Sequence, residues 1–460
     1  MRKSSKFQFL VCAVVLNFHH LSGADIDTDK IADSSAYIKS FLASKAFIVE
    51  GDGNTLNWNT TPSDITSDID IFAGYKIYGN VSDNTLNFNQ NNTNYIKEIR
   101  AGFAYDGIAM GNKLNISNGN IGISAISGRG SKGALNNTIK ILAGDFIGFT
   151  KIYAGSSEIR DVINNGIEIE NGTFTQEVEI YAGYTHANAV VSNAIKNYLG
   201  IKDGSFSGKV KIYAGYSKNG SVEQNYLTIS GGSFVDQVEI YGGYSELGDV
   251  SSNTINITGG KFAKTVRIYG GYSKISKVIN NTVNLHGEDL NLPNIYGGAV
   301  NNPPGYRVSN NTLNIIGKNI RANDIGNFKM INFYLPKDFD TAKDKMLSLN
   351  HPPYILNSKI GVGMMQGGVL KMDDEIVLID VQNGNITYPL DKTNHVGQLQ
   401  SGISAVYEFE LKDDGGLNKK LIAKVIKAPK TSKDFLPYPK NVIETTIGEL
   451  GMLLSSSDMI

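Results

Sequence analysis

Apolar and polar residues alternate along most of this chain, in short runs that are separated by glycine and asparagine. In Leu227-Thr228-Ile229, and again in Val238-Glu239-Ile240-Tyr241, every second residue is apolar, which places the apolar set on one face of a β-strand. The density of glycine argues against helix in the same segments. The pattern therefore predicts many short strands, each with one buried face.

The runs belong to a repeat of about 28 residues. Two successive units align without a gap, NYLTISGGSFVDQVEIYGGYSELGDVSS and NTINITGGKFAKTVRIYGGYSKISKVIN. An asparagine opens each of ten units between residues 54 and 330, at Asn54, Asn84, Asn112, Asn137, Asn165, Asn197, Asn225, Asn253, Asn281 and Asn311. One unit is too small to bury its own apolar face, so such repeats are stable only when stacked.

We therefore predict an all-β fold, a parallel right-handed β-helix (β-solenoid) of about ten coils. A propeller would need four strands and usually 40 or more residues per blade. The turns are expected at glycine pairs such as Gly231-Gly232, Gly242-Gly243 and Gly270-Gly271, where positive φ costs little, and at Asn-Asn or Ser-Asn pairs that tolerate the left-handed region.

Different patterns flank the repeats. Residues 25–53 are expected to cap the first unit, and Ile31, Ile38, Leu42 and Phe47 lie near helical spacing, which predicts a short amphipathic helix. Residues 331–428 continue with strand-like runs, and AVYEFEL and KLIAKVI on either side of a Gly-containing turn predict a capping β-hairpin. Residues 429–460 are interpreted as a Lys- and Pro-rich linker followed by the start of a helix.

The first 24 residues have the layout of a cleavable export signal. Three basic residues precede an apolar run from Phe7 to Leu16, which is too short to span a membrane, and Ser22-Gly23-Ala24 fits cleavage after Ala24. The single cysteine, Cys12, lies in this segment. The exported chain is therefore expected to contain neither a disulfide nor a thiolate metal site. The whole chain has 43 basic and 44 acidic residues and a net charge of −1, without a basic cluster, so nucleic acid is not an expected partner.

The signal, the cysteine-free remainder and units of the form NTINITGGxF...VxIYGGYS together resemble the passenger region of a Gram-negative autotransporter, in the type V secretion pathway. Residues from Asp374 to Lys427 are similar to the passenger end that precedes the translocator in that family. The segment from Pro429 resembles the connector to the outer-membrane barrel. We expect the barrel itself, with its strands of about ten residues, to be missing here or encoded separately. The resemblance implies a virulence-associated protein on the cell surface or secreted, or a periplasmic one where no barrel is available.

Few residues form patterns that predict chemistry. GRGSKG at 128–133 is spelled like a dinucleotide-binding loop, but a repeat strand follows it rather than a helix, so a coil turn is favoured. Asp25, Asp27 and Asp29 lack the later Gly and Glu of a calcium loop. The four histidines after the signal, His186, His286, His351 and His395, are not at metal-ligand spacing.

Catalytic patterns are equally sparse. The string G-x-S-x-G of serine hydrolases does not occur. Asp373, Asp374 and Glu375 form a dense carboxylate group, but consecutive residues alternate faces on a strand, so a solvated turn is favoured over an acid pair that cleaves polysaccharide. We therefore expect no catalytic residue, no metal and no cofactor.

One tyrosine recurs at the same position of successive units. Each member of the set is next to an inward aliphatic residue and is expected to point outward: Tyr153, Tyr181, Tyr213, Tyr241, Tyr269 and Tyr296. Such a stripe can bind sugar rings or a protein partner, and it can also stabilise the rod by packing between coils, which is the favoured interpretation. A second series, Tyr184, Tyr216, Tyr244 and Tyr272, follows a Gly-containing pair that obscures its direction.

The expected function is that of a non-enzymatic, monomeric adhesin-type rod that attaches to a receptor or glycan on host or neighbouring cells. The six tyrosines are the candidate binding residues. Two alternatives keep the same scaffold: a glycan-active β-helix enzyme and a pore-forming toxin passenger.

Overall fold

The computed structural model describes residues 23–428, except 32–33, 35, 42–43, 66, 91–95, 120–123, 147–148, 187–189, 302–306, 365–369, 387–395, 402–404 and 415–418. The predicted export signal up to residue 22, the segment 429–460 and His395 thus lie outside the described residues. Regular structure in the described part is β, apart from a 3-10 turn at Thr28–Lys30. No helix there is long and apolar enough to cross a lipid bilayer.

The strands stack in four columns, which we name A to D in the order in which one coil passes through them. Column A follows the asparagine that opens each unit, and its strands are Asp25–Asp27, Thr55–Trp58, Thr85–Asn89, Lys113–Asn118, Thr138–Ile141, Gly166–Ile169, Tyr198–Ile201, Tyr226–Ile229, Thr254–Ile257, Thr282–Glu288, Thr312–Lys318, Met330–Leu335 and Lys359–Met364. Column B is short and carries a phenylalanine in each strand: Asp145–Phe146, Thr173–Phe174, Ser205–Ser207, Ser233–Val235 and Lys261–Phe262.

Column C contains the long strands of the repeat. They are Ser44–Glu50, Ile69–Tyr78, Ile96–Asp106, Ser124–Gly130, Thr150–Ser157, Val178–Thr185, Val210–Ser217, Val238–Ser245, Arg267–Tyr269 with Tyr272–Ser273, Asn291–Tyr296 with Ala299–Val300, Ile320–Gly326, Lys345–Leu349 and Glu375–Val381. Column D has two-residue strands: Val81–Ser82, Ala109–Met110, Ala134–Leu135, Val162–Ile163, Ala194–Ile195, Val222–Glu223, Val250–Ser251, Val278–Ile279 and Val308–Ser309.

Neighbouring strands within each column are parallel, and most are in register throughout, as when Ile212 pairs with Ile240 and Leu199 with Leu227. The predicted parallel β-helix is therefore confirmed, with about 12 turns instead of the expected ten. The difference arises because column A also contains three strands that lack the opening asparagine, at Asp25–Asp27 before the first unit and at Met330–Leu335 and Lys359–Met364 after the last. Twelve steps of about 4.8 Å give a rod of roughly 58 Å.

Aliphatic residues of columns A and C fill the interior, and the phenylalanines of column B stack within it. Leu227, Ile229, Val238 and Ile240 of one coil are fully buried. Phe174, Phe206 and Phe234 stack with ring centroids 4.6 and 4.7 Å apart. The alternation in the sequence thus identified the buried face correctly.

The asparagines that open the units form a buried ladder along the rod. The Asn225 Nδ2 group donates to the carbonyl of Ala194 at 3.0 Å and to Asn253 Oδ1 at 2.9 Å. The Asn253 Oδ1 atom also accepts from the backbone N–H of Asn225 at 3.0 Å. Because the same bonds recur from coil to coil, each asparagine satisfies backbone groups that would otherwise be buried without a partner.

The turn predictions hold in part. Gly232 has a φ of +92°, and the residue before the ladder asparagine is left-handed in Asn-Asn and Ser-Asn pairs, as at Asn164 (56°) and Ser252 (57°). For Gly242-Gly243 and Gly270-Gly271 the prediction of positive φ was wrong. These glycines are needed for close packing, since a Cβ on Gly243 would lie 2.6 Å from Asn253 Nδ2.

Antiparallel strands cover both ends of the rod. Strand Ile38–Phe41 pairs antiparallel with Ser44–Glu50, so the helix expected within residues 25–53 was wrong. The reason is that Ser44–Glu50 also pairs with Ile69–Tyr78 of the next coil, and a helix would leave that strand edge unpaired. At the other end, Ala405–Lys412 and Lys420–Lys427 form the predicted hairpin, and Lys420–Lys427 pairs antiparallel with Glu375–Val381.

Candidate functional site

The six predicted tyrosines form a continuous stack on the outside of column C. Each follows a residue that points into the tube, as Tyr241 follows Ile240, and the stack forms an aromatic cluster separate from the interior core. Successive ring centroids are 4.7–5.4 Å apart between Tyr153 and Tyr296, with interplanar angles of 4–25°. We call this set the inner tyrosine series.

The inner tyrosine series is nevertheless largely shielded from solvent. Tyr153, Tyr181, Tyr213 and Tyr241 are only 4–9% exposed. The expectation that they point away from the tube agrees with the structure, but as binding residues these four present little surface to a partner. Tyr269 and Tyr296, at the C-terminal end of the series, are half-buried.

A second row of rings covers them. Tyr184, Tyr216, Tyr244 and Tyr272, which we call the outer tyrosine series, also point outward and stack at 5.0–5.2 Å. Each outer ring lies between two inner rings, and three of them meet both inner rings edge-on, as Tyr216 meets Tyr181 and Tyr213 at 5.5 Å from both. The sequence left the direction of this series undecided, and the structure makes it the accessible layer of the pair.

This arrangement determines which parts of the rings a partner can reach. Within the outer tyrosine series the faces of Tyr216 and Tyr244 are occupied by neighbouring rings on both sides. A sugar binds to an aromatic residue by lying flat on the ring face, whereas a protein surface can pack against ring edges and bond to hydroxyl groups. The outer tyrosine series therefore offers edges and hydroxyls at intervals of about 5 Å.

Acidic and imidazole groups hold the tyrosine hydroxyls. The Tyr216 hydroxyl donates to Glu246 Oε1 at 2.8 Å, the Tyr241 hydroxyl donates to Glu239 Oε2 at 3.0 Å, and the Tyr184 hydroxyl lies 2.8 Å from His186 Nδ1. Burial, together with Glu179, raises the pKa of Tyr184 to about 12. Burial also raises the pKa of Tyr216 and Tyr244. These hydroxyls therefore remain protonated donors at physiological pH.

Alternating charges run beside the stack, one coil apart. Lys151 pairs with Glu179 at 3.1 Å, and Arg267 pairs with Glu239 at 3.7 Å. Lys274 lies 3.0 Å from Glu246. Although burial raises the pKa of Glu246, hydrogen bonds from Tyr216 and Lys274 lower it overall, so this carboxylate is charged at neutral pH. The surface thus combines aromatic edges with charges of both signs beside them, which resembles the aromatic centre and polar rim of a protein interface.

The stack continues toward the N-terminus with residues other than tyrosine. In the register of the inner tyrosine series, the earlier coils carry Ile126, Arg100 and Phe72. The Arg100 guanidinium lies 4.8 Å from the Phe72 ring and 4.6 Å from the Phe103 ring, and it pairs with Glu98. The sequence does carry a signal for this extension, because IFAGY at 71–75 and IRAGF at 99–103 are variants of IYAGY at 180–184 in which the inner tyrosine is replaced.

The weak chemical motifs have structural roles. Gly128 to Gly130 lie in strand Ser124–Gly130, and the turn that the coil interpretation predicted is confined to Ser131 and Lys132. The Asp27 carboxylate accepts from the backbone of Asp29 and caps the 3-10 turn. Among the described residues, no three His, Cys, Asp or Glu side chains come together as metal ligands.

The carboxylates at 373–375 have separate partners. Asp373 pairs with Lys424 at 2.8 Å, and Asp374 accepts from the backbone of Lys371 at 2.6 Å. Glu375 pairs with Lys412. The three side chains are thus bound individually at a turn before strand Glu375–Val381, in agreement with the solvated-turn interpretation.

Comparisons with protein-family models, with curated proteins and with solved structures found no match for this chain.

Proposed function

We propose that this chain is an exported, non-enzymatic rod of the adhesin type, the passenger of an autotransporter, which attaches to host or neighbouring cells. The outer tyrosine series is the attachment surface in this proposal. The observation that carries it is the two-layer tyrosine stack, in which the outer layer stays accessible over several consecutive coils.

A repeated surface suits attachment more than catalysis. Each coil adds the same ring edge and hydroxyl about 5 Å further along the rod, so a partner gains contact area by lying along several coils. Tyrosine loses little side-chain entropy on binding and has an apolar body with a polar tip, which explains its enrichment at protein interfaces. Tyr184 to Tyr272 span three coil steps, or about 14 Å, which matches the contact length of a short peptide or loop.

The geometry favours a protein receptor over a neutral glycan. Flat stacking of a sugar requires a free ring face, and the interior members of the outer tyrosine series have none. The adjacent Glu239, Glu246, Arg267 and Lys274 supply both charges for hydrogen bonds at the edge of a protein interface.

The proposal is tested by coating beads with the purified protein and counting beads bound to epithelial and bacterial cells. The double substitution Tyr216→Ala with Tyr244→Ala is expected to lower binding at least fivefold. Tyr354→Ala is the matched control, because Tyr354 is 67% exposed and lies outside both series. Because alanine removes packing, Tyr216→Phe with Tyr244→Phe provides a second variant that keeps the rings and removes only the hydroxyls.

Circular dichroism and thermal unfolding of each variant separate lost attachment from lost structure. Protease treatment of the target cells is expected to abolish the part of the binding that the alanine double variant loses, and glycosidase treatment is expected to leave that part intact. Full attachment by both double variants would contradict the role of the outer tyrosine series. Two results would replace the proposal with one of its alternatives. Cleavage of a glycan library at a rate that a single side-chain change abolishes would favour the enzyme, and leakage of vesicles that a single side-chain change abolishes would favour the pore-forming toxin.

A further inference from the structure

A polar cleft lies near the C-terminal end of column C. Its volume is about 460 Å³, within the usual range of small-ligand sites, which is roughly 300 to 1,000 Å³. The side chains around it that can bind a ligand are Arg321, Lys343, Lys345, Ser348, Asn350 and Gln382. It lies two coils beyond Tyr272 and shares no residue with either tyrosine series.

A row of residues in register on successive coils runs beside the cleft, and Arg321 and Ser348 of this row line it. Arg321 is in register with Ser348, Ser348 with Asp380, and Asp380 with Lys420 of the capping hairpin. With rungs about 4.8 Å apart, the backbone positions of Arg321 and Lys420 are separated by about 14 Å. Asp380 and Lys420 belong to this row but not to the lining of the cleft.

The cleft has an excess of positive charge. Arg321 is exposed, and no ion pair to it is found among the residues that the structure describes. Lys345 pairs with the buried carboxylate of Asp380. Lys343 lies 3.1 Å from Asp340, but its side chain is 81% exposed, so this pair is screened by water and holds the ammonium group weakly. Since the whole chain has a net charge of −1, the local excess does not simply reflect a basic composition.

Polar uncharged groups complete the cleft. Asn350 donates through Nδ2 to Asn323 Oδ1 at 3.1 Å, which fixes the orientation of its amide. Ser348 is half-buried and Gln382 is exposed. A hydroxyl and two amides beside several cations can donate to and accept from the hydroxyl groups of a sugar that also carries a negative charge.

We propose that this cleft binds an anionic polysaccharide, with Arg321 holding a carboxylate or sulfate group of the sugar. A guanidinium binds such groups through two parallel hydrogen bonds, while the ammonium group of Lys343 contributes charge without fixed geometry. Ser348, Asn350 and Gln382 bind neighbouring sugar hydroxyls. The rod would then have two attachment surfaces, one for protein and one for charged glycan.

The test is isothermal titration of the purified protein with heparin oligosaccharides, with polygalacturonate oligomers and with neutral dextran as probes. We expect binding of at least one anionic probe, none of dextran, and a loss of affinity as salt is raised, because exposed charges are screened. The two anionic probes distinguish sulfate from carboxylate recognition. Arg321→Gln is expected to weaken the affinity at least tenfold, and Lys343→Gln less than that.

Lys264→Gln is the matched control, because Lys264 is exposed and lies in an earlier coil. It removes the same charge and is expected to leave affinity unchanged. The proposal would be overturned by an equal loss of affinity in Lys264→Gln and Arg321→Gln, by binding of dextran as tight as that of the anionic probes, or by no binding of either anionic probe. Bead attachment of the Arg321→Gln variant to glycosidase-treated cells is expected to equal that of the native protein, so failure of this site and failure of the tyrosine surface are distinguishable.

Discussion

Removal of one rung of the buried asparagine ladder should destabilise the rod sharply. Asn225 is 1% exposed. Its Oδ1 atom accepts from the backbone N–H and from the Nδ2 group of Asn197, both at 2.9 Å. In Asn225→Ala these two donors lose their acceptor in a place that water does not reach.

The magnitude follows from the groups left unpaired. A buried donor without a partner costs about 1 to 3 kcal/mol, so two donors cost roughly 2 to 6 kcal/mol. The lower half of that range applies, because Asn197 Nδ2 keeps its bond to the carbonyl of Val162 at 3.2 Å. The matched control is Asn115→Ala, which removes a 2.8 Å bond to Asn87 Oδ1 from a half-buried outer row where water can substitute.

The assay is urea unfolding of the purified protein, followed by circular dichroism. We expect Asn225→Ala to lower the unfolding midpoint clearly and Asn115→Ala to lower it by the equivalent of about 1 kcal/mol or less. A second substitution tests the packing. A Cβ on Gly215 would lie 2.5 Å from Asn225 Nδ2, so Gly215→Ala should cost less in the Asn225→Ala background than in the native protein. Equal midpoints for the two asparagine variants, or equal costs of Gly215→Ala in both backgrounds, would refute the reasoning.

Two further predictions concern the tyrosine stack. Tyr241→Ala should destabilise the protein by about 3 to 5 kcal/mol in urea unfolding, because the Tyr241 ring packs on Tyr213 at 5.0 Å and on Tyr269 at 5.2 Å. Tyr241→Phe, which removes only the hydroxyl, should cost about 1 kcal/mol. An unchanged urea midpoint in the alanine variant would contradict the packing. The protein should also lose stability as pH rises from about 10 to about 12, because folding raises the pKa of Tyr184 to about 12 and the unfolded state therefore releases the Tyr184 proton first. Urea midpoints that stay constant over this pH interval would contradict the burial of the Tyr184 hydroxyl.

Much of the fold followed from the period and the alternation. Residues such as Ile229 and Ile240 recur at fixed distances from the unit asparagine, and strands stacked in register bury all of them together. The hairpin at 405–427 was also predictable, because two alternating runs flank a glycine turn. Both features can be inferred from short stretches of sequence. The repeat itself indicates which strands are neighbours, because equivalent strands of successive units stack on one another.

The features that were missed depend on contacts between different positions of neighbouring coils. The burial of Tyr213 arises from Tyr216 and Tyr244, which alternation within one strand does not reveal. Residue 243 has to be glycine because the side chain of Asn253, ten residues later, occupies the space that a Cβ atom would take. Near the N-terminus, apolar residues at roughly helical spacing are also compatible with two paired strands. The pairing of strand Ser44–Glu50 with strand Ile69–Tyr78 favours the strand conformation there.

Hydroxyl-radical footprinting of the purified protein, free and bound to target cells, tests the central claim most directly, because it reports the exposure of individual tyrosines. The account predicts that Tyr216 and Tyr244 become protected on attachment, while the exposed Tyr354 is labelled equally in both states. Unchanged labelling of the outer tyrosine series on fully attached protein would contradict the account.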